Sequence, residues 1–265
     1  MNEELRNSIA AYLADRVTTF GFAPVERFDK APEAHHPEII CNGAKTVVVF
    51  AITVPRGVFR SPRYQLHAMH RSYHTIYGRL DDIALDVCNF IEATGDALAV
   101  PIPSYAPMVF HGMEPWGLLS LKHAAVNAGL GAFGRNGLVH HPVYGTLLRI
   151  GAVVTSADLP GDRIRDDFPC PGKCGVCHSS CPSGAFDDEG TFAKLTCLKH
   201  TIKHAIYPIT LKDEQGLRNI ERVINTAGYN YWLECNKCLG NCPNNRLKTK
   251  DAGSAFPDAR HVTDT

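Results

Sequence analysis

The chain has 265 residues, enough for one large domain or a core with a small appendage. Its 45% apolar content supplies an ordinary globular core, and Lys+Arg and Asp+Glu are equal at 27 each. That balance offers no basic field for nucleic acid and no acidic solvating tail.

The opening residues Met1-Asn2-Glu3-Glu4-Leu5 lack a basic flank and an apolar h-region. No apolar run reaches spanning length, so a soluble, cytoplasmic protein is expected. Leu5, Ile9, Leu13 and Val17 recur at helical spacing, with Gly21 expected to stop that helix. Thr46 to Val54 is a continuous β-branched and apolar run, expected as a strand buried on both faces. From about Pro62 to Thr94 the pattern is one long helix, its apolar face supplied by Leu80, Ile83, Leu85, Val87 and Ile91. Ala97 to Ile102 reads as a short strand, and the proline-rich stretch Pro103 to Pro115 as irregular. Leu118 to Ala128 is expected as a helix stopped by Gly129, followed by a turn-rich loop marked by Gly131, Gly134 and Gly137. A core strand is expected again over Thr146 to Val154. Helices between strands imply an α/β or α+β sheet domain.

Ten cysteines in such a chain point to metal ligands or reactive thiols rather than disulfides. Only Cys41 and Cys88 precede residue 170, and these are expected as small buried hydrophobes. The asymmetry suggests a core over 1–160, a cysteine-bearing module over 161–248 and a polar tail over 249–265. The joint is placed in the turn-rich Asp158 to Arg163.

The later cysteines fall in two motifs, Cys170-x₃-Cys174-x₂-Cys177-x₃-Cys181-Pro182 and Cys235-x₂-Cys238-x₃-Cys242-Pro243, with Cys197 between them. In bacterial two-cluster ferredoxins a tight thiolate run wraps one cubane, and the Cys before Pro reaches across to the other. The crossover rule gives one [4Fe–4S] site from Cys170, Cys174, Cys177 and Cys242, and a second from Cys181, Cys197, Cys235 and Cys238. A pair of Cys₄ zinc sites is the competing reading. The spacing from Cys170 to Cys174 is one residue longer than the commoner pattern, with Gly172 available to absorb it.

No dinucleotide fingerprint or Walker sequence follows a predicted strand. The residues Lys122-His123-Ala124-Ala125-Val126-Asn127-Ala128-Gly129-Leu130-Gly131-Ala132-Phe133-Gly134-Arg135-Asn136-Gly137-Leu138-Val139, then His141-Pro142-Val143-Tyr144-Gly145, resemble a stretch of epoxyqueuosine reductases and corrinoid reductive dehalogenases. In both families a strand and a two-cluster motif with an isolated cysteine follow, here Cys197, so the resemblance runs from about residue 40 to 245. It implies an α+β architecture: an N-terminal α/β, nitroreductase-like, cobalamin-binding core with a C-terminal ferredoxin-like 2[4Fe–4S] module. It also implies a cobalamin-binding iron–sulfur reductase fed by a low-potential donor of the ferredoxin or flavodoxin type. Within it Gly131, Phe133, Gly134, Arg135, Asn136, Gly137 and Arg149 are candidate corrinoid or substrate contacts.

Two departures shape the expected activity. Epoxyqueuosine reductases carry a proton-donating Asp in a D-[ST]-x-P sequence, and the matching stretch here is Ser104-Tyr105-Ala106-Pro107. Their C-terminal helical repeats for tRNA and the dehalogenases' twin-arginine leader have no counterpart in this sequence. With the neutral charge, these departures lead to the expectation of no nucleic-acid partner and no membrane. Tyr105 and His111 become the candidate proton donors. The expected functions are reduction of corrinoid cobalt or cobalamin-dependent reduction of a small substrate. An electron-transfer adaptor without a corrinoid, or a flavin-dependent reductase, is the alternative. The stripe His67, His70 and His74 on the long helix is a possible metal site or a polar face, and His140 and His141 are read as ordinary loop residues.

Overall fold

A computed structural model describes residues 2–105, 108–111, 114–165, 169–187, 192–203, 232–233 and 235–245. Helix α1 (Asn2–Ala14) leads into strand β1 (Thr19–Pro24), so the first helix ends earlier than its spacing suggests. Gly21 lies inside that strand rather than stopping the helix. A Cβ there would sit 2.2 Å from the Ala128 carbonyl oxygen, so glycine is needed for close approach.

A short helix, α2 (Pro37–Ile40), precedes β2 (Thr46–Thr53), and the long α3 (Gln65–Glu92) follows. After β3 (Ala99–Ile102), strands β4 (Met108–His111) and β5 (Glu114–Gly117) pair antiparallel as a hairpin. The stretch expected to be irregular is therefore partly a ladder, with Pro115 opposite Phe110 in a two-stranded ribbon. Proline is tolerated there because every strand of such a ribbon is an edge. Helix α4 (Leu121–Asn127) and the small hairpin of β6 (Ala132–Phe133) and β7 (Val139–His140) lead to β8 (Leu148–Thr155). Gly129, at φ 75°, turns the chain after α4, as its position in the sequence suggested.

The central sheet has the order β1-β2-β8-β3, and all its pairings are antiparallel. Strand β2 is buried from Thr46 to Ile52, and its alternation divides two cores. Val48, Phe50 and Ile52 face the layer of α1 and α3, where Leu80, Ile83, Val87 and Ile91 of the long helix meet them. Leu85, expected on that apolar face, is 54% exposed. Val47, Val49 and Ala51 face the opposite layer with Ala124, Ala125 and Leu130. Cys41 and Cys88 are buried, and burial pushes the Cys88 thiol up to about 12.

Helices α5 (Val176–Ser179), α6 (Lys194–Thr201) and α7 (Lys237–Gly240), with the strand pair β9 (Ile202–Lys203) and β10 (Trp232–Leu233), make up the described cysteine-bearing region. The segment Asp158 to Arg163 is pinned to the core rather than loose. Arg6 pairs with Asp162 at 2.6 Å, the Phe22 N–H donates to the same carboxylate, and Leu159 is buried. The expected tail from residue 249 lies outside the described residues.

Candidate functional site

The eight later cysteines gather as two groups of four. Cys170, Cys174, Cys177 and Cys242 line one cavity together with Asn136, His140, Pro171, Pro243 and Asn244. In the second group burial pushes the Cys238 thiol up to about 12, reinforced by Cys197, Cys235 and Cys181 and more weakly by Cys177. Cys197 is raised for the same first reason, with Cys235 and Cys181 adding to it. The groups are those the crossover rule pairs, and the reach of Cys177 to Cys238 shows that they adjoin. Among the described residues no three His, Cys, Asp or Glu side chains close on a single ion. Four soft thiols spread around a cavity are a donor set suited to a cubane cluster.

Short helices aim these sulfurs. Gly175 precedes α5, which carries Cys177, and Asn236 precedes α7, which carries Cys238. Backbone donors reach the sulfurs: Arg135 N–H to Cys170 Sγ at 3.4 Å and Ala185 N–H to Cys181 Sγ at 3.4 Å. Such bonds stabilise the more negative state of a thiolate-bound cluster.

The loop Gly131–Gly137, expected to approach a corrin, packs against the first thiol group. Arg135 donates from Nη2 to the Gly172 carbonyl at 2.8 Å, and its own carbonyl lies 3.3 Å from His178 Nε2. Asn136 Oδ1 accepts from Leu138 N–H at 3.2 Å and meets His140 Nε2 at 3.0 Å. Nε2 therefore carries the proton, and Nδ1 accepts from Asn244 Nδ2 at 3.0 Å. Burial lowers His140 to about 4, so the ring is a neutral, fully bonded wall of the thiol cavity rather than an ordinary loop residue. A Cβ on Gly134 would meet that ring at 2.2 Å, and one on Gly131 would meet the His140 carbonyl at 2.3 Å. Phe133 packs on His123, with ring centroids 4.8 Å apart, and the Gly137 carbonyl accepts from Lys122 Nζ at 2.9 Å.

The second thiol group faces the long helix. Asn236 Nδ2 donates to Met69 Sδ at 3.2 Å, and both residues are buried. One turn further along α3, the Arg149 guanidinium lies over the Tyr73 ring at 3.9 Å. Tyr77 follows, its centroid 6.1 Å from Tyr73, and Tyr105 stacks on Tyr77 at 5.3 Å. Burial raises the Tyr77 phenol, Arg149 offsets this in part, and Tyr73 adds to it, so Tyr77 remains a protonated donor. Tyr105 is thus placed in an aromatic cluster that includes Arg149, and Tyr77 is a member of it that was not among the candidate residues. An aromatic residue at i+4 from Tyr73, beneath a strand arginine, was its only signal.

Ser104 is buried, its N–H donating to Asp81 Oδ1 at 2.9 Å and its hydroxyl to the Tyr77 carbonyl at 3.2 Å. His111 ends β4, and its side chain lies outside the described residues. His70 and His74 meet at 4.5 Å, and burial, with His70 and Arg71 adding, lowers His74 to about 4. At least this end of the histidine stripe is therefore not a solvated polar face.

A mixed α and β core carrying two four-thiol groups and a partly buried tyrosine–arginine cluster defines the class as a candidate iron–sulfur protein with a second site in its core. No protein-family model matches the chain. Its homologues are epoxyqueuosine reductases. That of Staphylococcus aureus is 27% identical over 255 residues, spanning 92% of this chain and 58% of the relative. This chain therefore spans a little over half the length of the curated relatives it matches.

In fold it resembles the epoxyqueuosine reductase of Bacillus subtilis, solved with its catalytic aspartate loop swung out of the active site. That match has a TM-score of 0.64 at 19% identity and covers 92% of this chain and 66% of the other. An epoxyqueuosine reductase bound to a tRNA-Tyr stem loop matches at a TM-score of 0.62 and 20% identity, over 91% and 65% of the two chains. A catabolic reductive dehalogenase matches at 0.53 and 17%, over 86% and 30%. The tRNA-bound neighbour overturns the expectation that nucleic acid is excluded as a partner. Net charge was the misleading sign, since a balanced total says nothing about the local distribution on a contact surface.

Proposed function

We propose that this chain is a cobalamin-dependent iron–sulfur reductase. The observation that supports this reading is the gathering of eight cysteines into two four-thiol groups, the second adjoining Asn236, which is bonded to Met69 of α3 one turn from the Tyr73–Arg149 pair. The homologues named epoxyqueuosine reductases and the resemblance to dehalogenases support it.

Cys170, Cys174, Cys177 and Cys242 would hold one [4Fe–4S] cluster, and Cys181, Cys197, Cys235 and Cys238 the other. A bound corrinoid would supply a low-valent cobalt as the reducing nucleophile. A guanidinium and two phenols form a donor set suited to the amide and phosphate oxygens of a corrinoid, and Arg149, Tyr77 and Tyr105 would flank it. Tyr77 holds its proton on the phenol oxygen, where reduction of a carbon centre needs one delivered. Arg149 orients Tyr73 and stabilises negative charge arising beside it. Apolar packing by Met69 and Tyr73 shields the space between the second thiol group and this donor.

A second reading, in which the corrinoid cobalt is itself the substrate, is favoured by Ser104. At the position matched to the proton-donating Asp it offers a hydroxyl already committed to the Tyr77 carbonyl. Anaerobic purification with iron and cobalt analysis tests the shared core of both readings. About eight iron atoms with stoichiometric corrinoid uptake is the expected result. Eight iron atoms without corrinoid uptake would favour an adaptor or a flavin enzyme. Turnover on an epoxyqueuosine-bearing tRNA stem loop, against reduction of free cob(II)alamin, then separates the two readings.

A further inference from the structure

Beside the first thiol group a cleft opens between the turn Arg56–Arg60 of the core and helices α5 and α7. Its wall includes Cys242 itself, with Val176 and Asn241 on the cluster side and Arg56, Phe59 and Arg60 on the core side. Among the described residues that line it, two are arginines and none is a carboxylate, in a chain whose formal charges cancel as a whole. Arg56 is held in place, since its Nε donates to the Asn245 carbonyl at 3.1 Å. Asn245 is anchored in turn, its Oδ1 accepting from Thr146 N–H at 2.8 Å and its Nδ2 donating to the Leu239 carbonyl at 2.7 Å. Val176 is 37% exposed at the rim.

We infer that this cleft is the port at which an acidic, low-potential electron-donor protein docks, its carboxylates meeting Arg56 and Arg60 above the cluster ligand Cys242. The inference rests on the proposed cluster assignment and adds a direction to it. The second group adjoins Asn236, which is bonded to Met69 of α3 one turn from Tyr73, so it takes the delivering role. The first group, reached through a positively charged and partly apolar opening, receives them. An apolar rim with an unopposed positive floor is the chemistry that steers and seats a negatively charged partner.

The test is stopped-flow reduction of the cluster-loaded protein, wild type and Arg60→Glu, by reduced flavodoxin and separately by reduced methyl viologen, a small cation. Arg60 is exposed on a short turn, so the exchange leaves the thiol groups intact. The expected result is about a tenfold lower second-order rate with flavodoxin at low salt, converging with wild type at high salt, and no slowing with viologen. An unchanged flavodoxin rate overturns the inference while leaving the clusters standing. An equal fall with both reductants overturns it too, because the defect would then lie in the cluster. Loss of tRNA stem-loop binding in Arg60→Glu with an unchanged flavodoxin rate overturns it in favour of a nucleic-acid contact. If neither reductant bleaches cluster absorbance in the wild type, the cluster reading itself fails.

Discussion

In the sheet, β2 is buried along seven consecutive positions from Thr46 to Ile52, and its two faces feed two separate apolar cores. Beyond residue 169 the buried apolar residues among those described are Cys177, Ala185, Leu239 and Cys242. Half of these are cysteines. Directed bonds join that region to the core, Asn244 to His140, Asn245 to Thr146 and Arg135 to the Gly172 carbonyl, and Leu198 adds a partly buried apolar contact. The first region is stabilised by surface removed from water, whereas the second depends on a few directed bonds and whatever its thiols bind.

Removing iron should break this comparison most visibly. Chelation under reducing conditions is expected to unfold the stretch from Cys170 to Asn245 while the sheet survives. Limited proteolysis would then release a core fragment of about the first 165 residues, whereas uniform digestion would mean that the two regions fold as one. Next in size, Tyr77→Phe should lower turnover on the order of 10²-fold or more, with iron content unchanged. Equal turnover would remove Tyr77 from the chemistry. Phe50→Ala should cost roughly 3–5 kcal/mol in a fluorescence-monitored denaturant titration, since it empties the centre of the α3-facing core. Cys235→Ser should halve the iron from about eight atoms to four, and an unchanged count would refute the ligand grouping.

The smallest expected effect is on pH dependence. His74 and His140 are both lowered to about 4 by burial, below the ordinary value of 6.5. The unfolded chain binds protons that these folded rings resist, so stability is retained above pH 6.5 and falls as pH drops from there towards 4. His140→Gln should flatten part of that slope, measured as unfolding midpoints across pH 4 to 7.

Strand β2, helix α3 and the thiol grouping were legible in the sequence because each carries its own period. β2 is a β-branched run, α3 repeats apolar residues every three or four positions, and the cysteines keep cluster spacing. The hairpin of β4 and β5 was hidden because the prolines of this stretch argued against a ladder. Gly21 misled for a physical reason, as a glycine required by a passing carbonyl resembles one that ends a helix. At the site, the loop Gly131–Gly137 stood out in the sequence, and in the fold Gly131 and Gly134 make room for His140 while Arg135 holds the Cys170 loop. No local pattern could reveal this, since His140, Asn244 and Cys170 meet only through the fold. The position of Tyr77 in the tyrosine–arginine cluster was hidden in the same way, because Arg149 lies on a strand more than 70 residues further along.

Cys197 and Cys235 belong to one thiol group although the chain runs through 37 intervening residues between them. Sulfurs so far apart in sequence, once tied through one bound group, would staple the chain: the unfolded state would lose the freedom of the closed segment, an entropy that grows only with the logarithm of the segment's length.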